Sequence, residues 1–225
     1  MEHRSQDPAE QPAEQPADHR NDRDRALLAV LWASWADRGA GLDAEQWDRS
    51  TRLPGWSVRD LYAHVAPTAG LFTRMREAVV DRPAAVTRGS AVLRAYNRPD
   101  GVAHTAADLV ADDARTLAAA VGAEALVSRF ATGGPEALAA IADLAPTTVI
   151  AHPLLGTVTL GALAEVAVME ATVHLLDLTA AVGGPPPPDS ALHATRALLA
   201  EVADPVEFIE AATGRTRAAV LPVIR

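Results

Sequence analysis

The chain has 225 residues, of which 49% are hydrophobic and 22% charged, enough apolar material for one folded domain of ordinary size. Its 20 basic and 29 acidic side chains give a net charge of −9, which excludes a broad basic surface for nucleic acid. The chain has no cysteine, which excludes disulfides, iron–sulfur clusters and a cysteine nucleophile. Any metal must therefore be held by His, Asp or Glu.

The first 22 residues are polar and of low complexity, with a short repeat of Pro-Ala-Glu-Gln and no apolar core of a signal peptide. This composition predicts a disordered tail over residues 1–22, followed by one folded domain over residues 23–225. The sequence also lacks an uncharged apolar stretch of about 18 residues, the length that a membrane span needs. It therefore predicts a cytoplasmic protein that binds neither a membrane nor nucleic acid.

The first predicted helix begins near Asp22 or Asp24 and ends at Gly39 and Gly41. Its apolar residues recur at steps of three and four, which places them on one face of a helix. That face consists of Leu27, Leu28, Leu31, Trp32 and Trp35.

The second predicted helix covers residues 58–80 and follows a turn over residues 53–56. Ser57 is a natural N-cap, and Asp60 can complete an acidic variant of the capping box. Pro67 removes a backbone donor inside this helix, so we expect a kink there. The predicted buried face consists of Leu61, His64, Val65, Thr68, Phe72 and Met75.

The rest of the chain is predicted to be mainly helical. Residues 81–103 are rich in Pro, Gly and Arg, which predicts a long connection, and Gly133-Gly134-Pro135 predicts a break. Further helices are predicted over residues 105–121, with Leu109, Leu117 and Val121 facing inward, and over residues 136–144, 160–182, 190–202 and 205–212; residues 147–152 are predicted to be extended. Such a pattern is typical of a helical bundle with a crossover connection.

His174 lies in the middle of the most apolar helix, with Glu170 one turn before it and Asp177 one turn after it. Offsets of four and three place the three side chains on one face. Burying these polar side chains costs free energy unless they are paired or bind an ion. Carboxylate and imidazole groups are ligands that suit Zn²⁺. Asp177 is a candidate for orienting the second ring nitrogen of His174. The alternative is a buried Glu–His pair that only fixes the helix register.

His64 is the other histidine predicted to face the core from the middle of a helix, so it is the candidate third ligand. Three protein ligands with an open position form a catalytic zinc site, whereas a closed structural site uses four. His104, His152 and His193 each stand alone near predicted helix ends, where a surface or structural role is usual.

Three segments carry a resemblance to a known family. Residues 50–65 read STRLPGWSVRDLYAHV, residues 170–178 read EATVHLLDL, and residues 213–215 read TGR. Together they resemble the N-terminal domain of mycothiol-dependent maleylpyruvate isomerase, within the DinB/YfiT-like metalloenzyme superfamily, over about residues 24–182.

The resemblance implies an all-α fold, a DinB-like four-helix bundle with an up-down-down-up path, here followed by extra C-terminal helices. It implies a divalent metal ion, with zinc expected, held by His64, Glu170 and His174. It also implies that the metal binds and activates the thiol of a small cofactor, mycothiol or a similar compound.

The leading hypothesis is a metal-dependent thiol S-transferase or isomerase that acts on a small electrophilic metabolite, as a monomer or homodimer. Arg52 and Trp56 precede the ligand helix and are candidate cofactor-binding residues, although Trp56 could instead anchor the start of that helix. Two alternatives stay open: a hydrolase in which the metal activates water, and a metal-binding or ligand-sensing bundle without catalysis.

Overall fold

The structure, a computed structural model, describes residues 17–67, 69–216 and 222–224. The first half contains helices α1 (Ala17–Ala40), α2 (Ala44–Trp47), α3 (Val58–Val65), α4 (Ala69–Glu77), α5 (Gly89–Tyr96), α6 (Val102–Thr105) and α7 (Ala107–Ala120). The second half contains α8 (Ala123–Ser128), a π-helical turn (Arg129–Gly133), α9 (Gly134–Ala140), strands β1 (Val149–His152) and β2 (Gly156–Thr159), and helices α10 (Leu160–Val182), α11 (Asp189–Val202) and α12 (Pro205–Ala212). The prediction of a mainly helical protein is confirmed, with a small hairpin added.

Helix α1 begins earlier than predicted. Residues 1–16 of the predicted tail lie outside the described residues, whereas residues 17–22 are already helical. The predicted apolar face is buried, with Leu31 and Trp35 fully enclosed. Helix α10 runs along α1 and is also contacted by α3, α5 and α11, so it is the central helix of the described region.

The predicted start of α3 is confirmed. Ser57 accepts a hydrogen bond from the backbone N–H of Asp60, and the Asp60 carboxylate accepts one from the N–H of Ser57 at 2.8 Å. Pro67 causes a complete break where a kink is predicted, because the residue before a proline is pushed out of the helical region; Ala66 has φ −56° and ψ 126°. Thr68, predicted to be buried, lies outside the described residues.

Helix α5 and strand β2 are not predicted from the sequence. Strand β1, predicted as extended, pairs antiparallel with β2, and Ile150 lies opposite Val158. These two side chains are buried in a small cluster with Val92 of α5 and Ala162 of α10. The hairpin cluster, as we call these four residues, packs α5 against the first turns of α10.

Two further predictions are wrong for packing reasons. Leu109 is exposed, and Ala114 and Ala118 are the buried residues of α7, where small side chains let the helix lie close to α3. Residues 133–135 are predicted to break the chain, but the π-helical turn instead continues directly into α9. Gly134 is needed for close packing, since a Cβ atom there would lie 2.9 Å from the Trp32 ring.

Aromatic residues at the centre of the fold fix the position of α3. The Tyr62 hydroxyl donates to the backbone oxygen of Trp35 at 3.0 Å, and the Trp35 ring stacks on Phe130 at 5.4 Å. Because Tyr62 is fully buried, it fixes α3 against α1 and the π-helical turn, and α3 also contacts α10. Within the described ranges, every helix is too short or too polar to cross a lipid bilayer.

Helix α10 ends at Gly183, as predicted, and the backbone of this residue is left-handed. Gly183 has φ 77° and ψ −163°, a conformation that is nearly restricted to glycine, so Gly183→Ala is expected to lower the free energy of unfolding by about 1–3 kcal/mol. Gly122→Ala is the matched control, because both positions have open space around a new Cβ but Gly122 has φ −74°. Urea denaturation measures both, and equal midpoints for the two variants would contradict the predicted strain.

Candidate metal centre

Two helices bring the three predicted ligands together. His64 lies in the last turn of α3, and Glu170 and His174 lie one turn apart on α10. One ligand atom from each residue lies within 4.8 Å of the other two. The rings of His64 and His174 are 5.1 Å apart and nearly perpendicular. The cluster therefore has the side-chain convergence that the sequence analysis predicts.

Asp177 and Arg52 hold the ring of His174 in place. Asp177 Oδ2 lies 2.8 Å from His174 Nδ1, and Asp177 Oδ1 accepts a hydrogen bond from Arg52 Nε. The Asp177 side chain is only 3% exposed, so this carboxylate is committed to the two partners. With its Nδ1–H donated to Asp177, His174 presents Nε2 to the other two members of the cluster.

The electrostatics of the cluster suit a cation. Burial alone lowers the pKa of His174, but hydrogen bonds to Asp177 and Glu170 raise it to about 9. The metal-free ring therefore carries a proton on Nε2, 3.3 Å from Glu170 Oε2. Burial, and next the nearby His174, lower the pKa of His64, so its ring is neutral and has a lone pair to offer. A positive charge already lies between these donors in the metal-free protein.

The donor set fits a divalent metal ion of the zinc type. Ligand atoms about 2.0–2.1 Å from one zinc ion lie about 3.3 Å from each other. His174 Nε2 and Glu170 Oε2 already have that separation, and the ligand atom of His64 lies within the 4.8 Å limit of the cluster. Two imidazoles and one carboxylate leave a fourth position for a water, thiol or substrate.

An apolar cavity of about 250 Å³ adjoins the cluster. His64 and Glu170 are its polar lining residues, and the other walls are Trp32, Val65, Ala66, Pro67, Leu71, Phe72, Ala167 and Ala171. Trp56 packs edge-on against His64, with 5.2 Å between the rings, outside this lining. Arg52 keeps half of its side chain exposed while it binds Asp177. The proposed role of these two residues in cofactor binding stays a prediction.

Tyr96 and His152 form a second polar pair, which the sequence does not predict. Tyr96 Oη lies 3.3 Å from His152 Nε2. Burial, and next the charge of Glu170, raise the pKa of Tyr96. Tyr96 is missed because α5 is predicted as part of a connection. The helical spacing of Val92, Leu93 and Tyr96 is the signal that indicates α5.

Comparisons with known proteins give one match. A family model described as the mycothiol maleylpyruvate isomerase N-terminal domain matches residues 28–179. No curated protein and no solved structure matches the chain. The matched interval runs from α1 to near the end of α10 and contains His64, Glu170 and His174.

Proposed function

Because the chain belongs to the mycothiol maleylpyruvate isomerase N-terminal domain family, we propose that it is a divalent-metal-dependent thiol S-transferase or isomerase that uses mycothiol or a similar thiol. The observation that carries this proposal is the convergence of His64, Glu170 and His174 next to an apolar cavity. The substrate is a small electrophilic metabolite. Residues 28–179 supply a DinB-like four-helix bundle with an up-down-down-up path, and α11 and α12 are the additions to it.

The chain's own residues have distinct tasks in this function. His64, Glu170 and His174 hold the metal, which when bound lowers the pKa of a coordinated thiol or water so that it ionises near neutral pH. Asp177 and Arg52 keep Nδ1 of His174 engaged, which leaves Nε2 to face the metal. The thiol comes from outside because the chain has no cysteine.

Thiol and substrate bind in and beside the apolar cavity that His64 and Glu170 line. The apolar walls of this cavity exclude water from one side of His64 and Glu170. Electrostatic interactions on that side are therefore stronger. The exposed part of Arg52 offers N–H groups to an acidic cofactor or a carboxylate substrate, and Trp56 offers a ring that packs edge-on against His64. The proposal places the protein in the cytoplasm, where thiols stay reduced, as a monomer or homodimer.

The test is thiol conjugation by the zinc-loaded full chain. We expect mycothiol and monobromobimane to form a thioether well above the uncatalysed rate, and chelation of the metal to remove the excess rate. Liquid chromatography with fluorescence detection measures the product. A protein that binds one zinc ion per chain yet gives no excess rate would overturn the transferase function and leave the non-catalytic binder or the hydrolase.

A further inference from the structure

Trp32 separates two apolar spaces in the fold. One is the cavity of about 250 Å³ that His64 and Glu170 line. The other, which we call the outer groove, has about 490 Å³ and lies between α1, the π-helical turn and α9. Its apolar lining residues include Ala29, Ala33, Phe130 and Leu138. Among the described residues, Trp32 is the one that lines both spaces, so its side chain is the partition between them.

Two neighbours fix the indole of Trp32. The ring meets the Phe72 ring edge-on, with 5.9 Å between the centroids. Gly134 leaves room for the indole, since a Cβ atom at that position would lie 2.9 Å from it. Trp32 is only 5% exposed, and close packing of this kind resists displacement of a side chain. The cavity beside the metal ligands therefore has a fixed end wall.

The lining of this cavity favours an uncharged apolar group. Apart from His64 and Glu170, its described walls are apolar, and none is a lysine or an arginine. A carboxylate placed against these walls would lose its hydration without gaining a partner. A dry apolar cavity of about 150 Å³ takes a benzene ring, so a volume of about 250 Å³ suits an apolar group of about six to eight carbon atoms.

We propose that Trp32 limits the size of the ligand that binds at the metal centre. The cavity takes an uncharged apolar group of about six to eight carbon atoms, and the indole keeps a longer group out of the outer groove. This inference rests on the metal centre of the proposed function. Trp32 is a specificity-determining residue because it meets the far end of the ligand, whereas His64 and Glu170 lie at the end next to the metal.

The test measures the binding of alkyl hydroxamates, which share one zinc-binding group and differ in chain length. Isothermal titration calorimetry of the zinc-loaded full chain gives the affinities from acetohydroxamate to decanohydroxamate. We expect a gain of about three- to fourfold per methylene group up to about six to eight carbon atoms, and no gain beyond that length. Suberic acid monohydroxamate, which ends in a carboxylate, is expected to bind at least about tenfold more weakly than octanohydroxamate.

Two variants of the partition and two of the walls sharpen this test. In Trp32→Ala the gain is expected to continue to decanohydroxamate, because the cavity then opens into the outer groove, and Trp32→Leu is the milder variant with the same expected direction. Leu138→Ala is the matched control, since it widens the outer groove but keeps the indole and the length limit. Ala167→Leu fills part of the cavity, so octanohydroxamate should bind about tenfold more weakly while acetohydroxamate binds as before.

The outcomes separate this inference from the proposed function. It is overturned if the zinc-loaded protein binds no hydroxamate, if the affinities do not depend on chain length or on the terminal carboxylate, or if folded Trp32 variants keep the original length limit. The proposed thiol transfer survives the second and third of these results, because monobromobimane conjugation measures it separately. A length limit that Trp32→Ala extends supports the inference even where conjugation is absent, and then the thiol transfer alone fails.

Discussion

Replacing His174 by alanine is expected to abolish stoichiometric zinc binding. The substitution removes one of three ligands and the residue that connects the buried Asp177 to the cluster, so we expect the affinity for zinc to fall by at least about 100-fold. His64→Ala removes the ligand from α3 and is expected to have the same effect. Competition with a chromophoric chelator measures the affinity, and mass spectrometry of the purified protein measures the metal content.

Two variants show whether the loss belongs to this site. His193→Ala removes an exposed histidine on α11 and should bind zinc like the unmodified protein. Asp177→Asn keeps all three ligands but weakens the contact that orients His174, so a loss of about 10- to 100-fold is expected. If folded His174→Ala protein retained one tightly bound zinc ion per chain, the cluster of His64, Glu170 and His174 would not be the metal centre.

The local part of the site is readable from the sequence because it depends on one helix. If residues 160–182 are helical, one face of that helix carries Glu170, His174 and Asp177. Apolar residues throughout the segment predict that the helix is buried. The start of α3 is equally local, since the exchange of hydrogen bonds between Ser57 and Asp60 spans three residues. Capping signals and helical periodicity thus predict both ligand-bearing helices.

The contacts between elements depend on packing partners that periodicity does not specify. Arg52 and Asp177 are 125 residues apart in the sequence, and Tyr96 and His152 are 56 residues apart. The second pair forms only because α5 packs on α10 next to the β1–β2 hairpin, and neither α5 nor β2 is predicted. His152 alone therefore resembles any solitary surface histidine, although it has a defined partner in the folded chain.

Leu117 and Val121 pack against the core as predicted, whereas the wrong inward placement of Leu109 on α7 has the same origin. Leu109 is more hydrophobic than Ala114 and Ala118, so periodicity favours burying the leucine. The close approach of α3 admits only small side chains, and the alanines are the buried residues. Hydrophobicity indicates which residues gain from burial, but the neighbouring helix decides which of them fit.

Trp35→Ala is expected to lower the free energy of unfolding by about 3–5 kcal/mol, a large fraction of the about 5–15 kcal/mol that holds an ordinary domain folded. Trp35 is fully buried, stacks on Phe130 and meets the Tyr62 ring edge-on at 4.8 Å. Removing it leaves a cavity where α1, α3 and the π-helical turn meet. Urea denaturation followed by circular dichroism measures the effect, with Val30→Ala on the exposed face of α1 as the control.

Trp35→Phe distinguishes packing from hydrogen bonding at the same position. Trp35 Nε1 donates to the backbone oxygen of Ala171 at 3.1 Å, which ties α1 to the turn of α10 that carries Glu170. Phenylalanine keeps most of the ring but leaves that buried carbonyl without its side-chain donor, so a smaller loss of about 1–3 kcal/mol is expected. If Trp35→Ala were no less stable than Val30→Ala, the stacked aromatic residues would not be the core that holds α3 and α10 together, and the convergence of the metal ligands would need another structural basis.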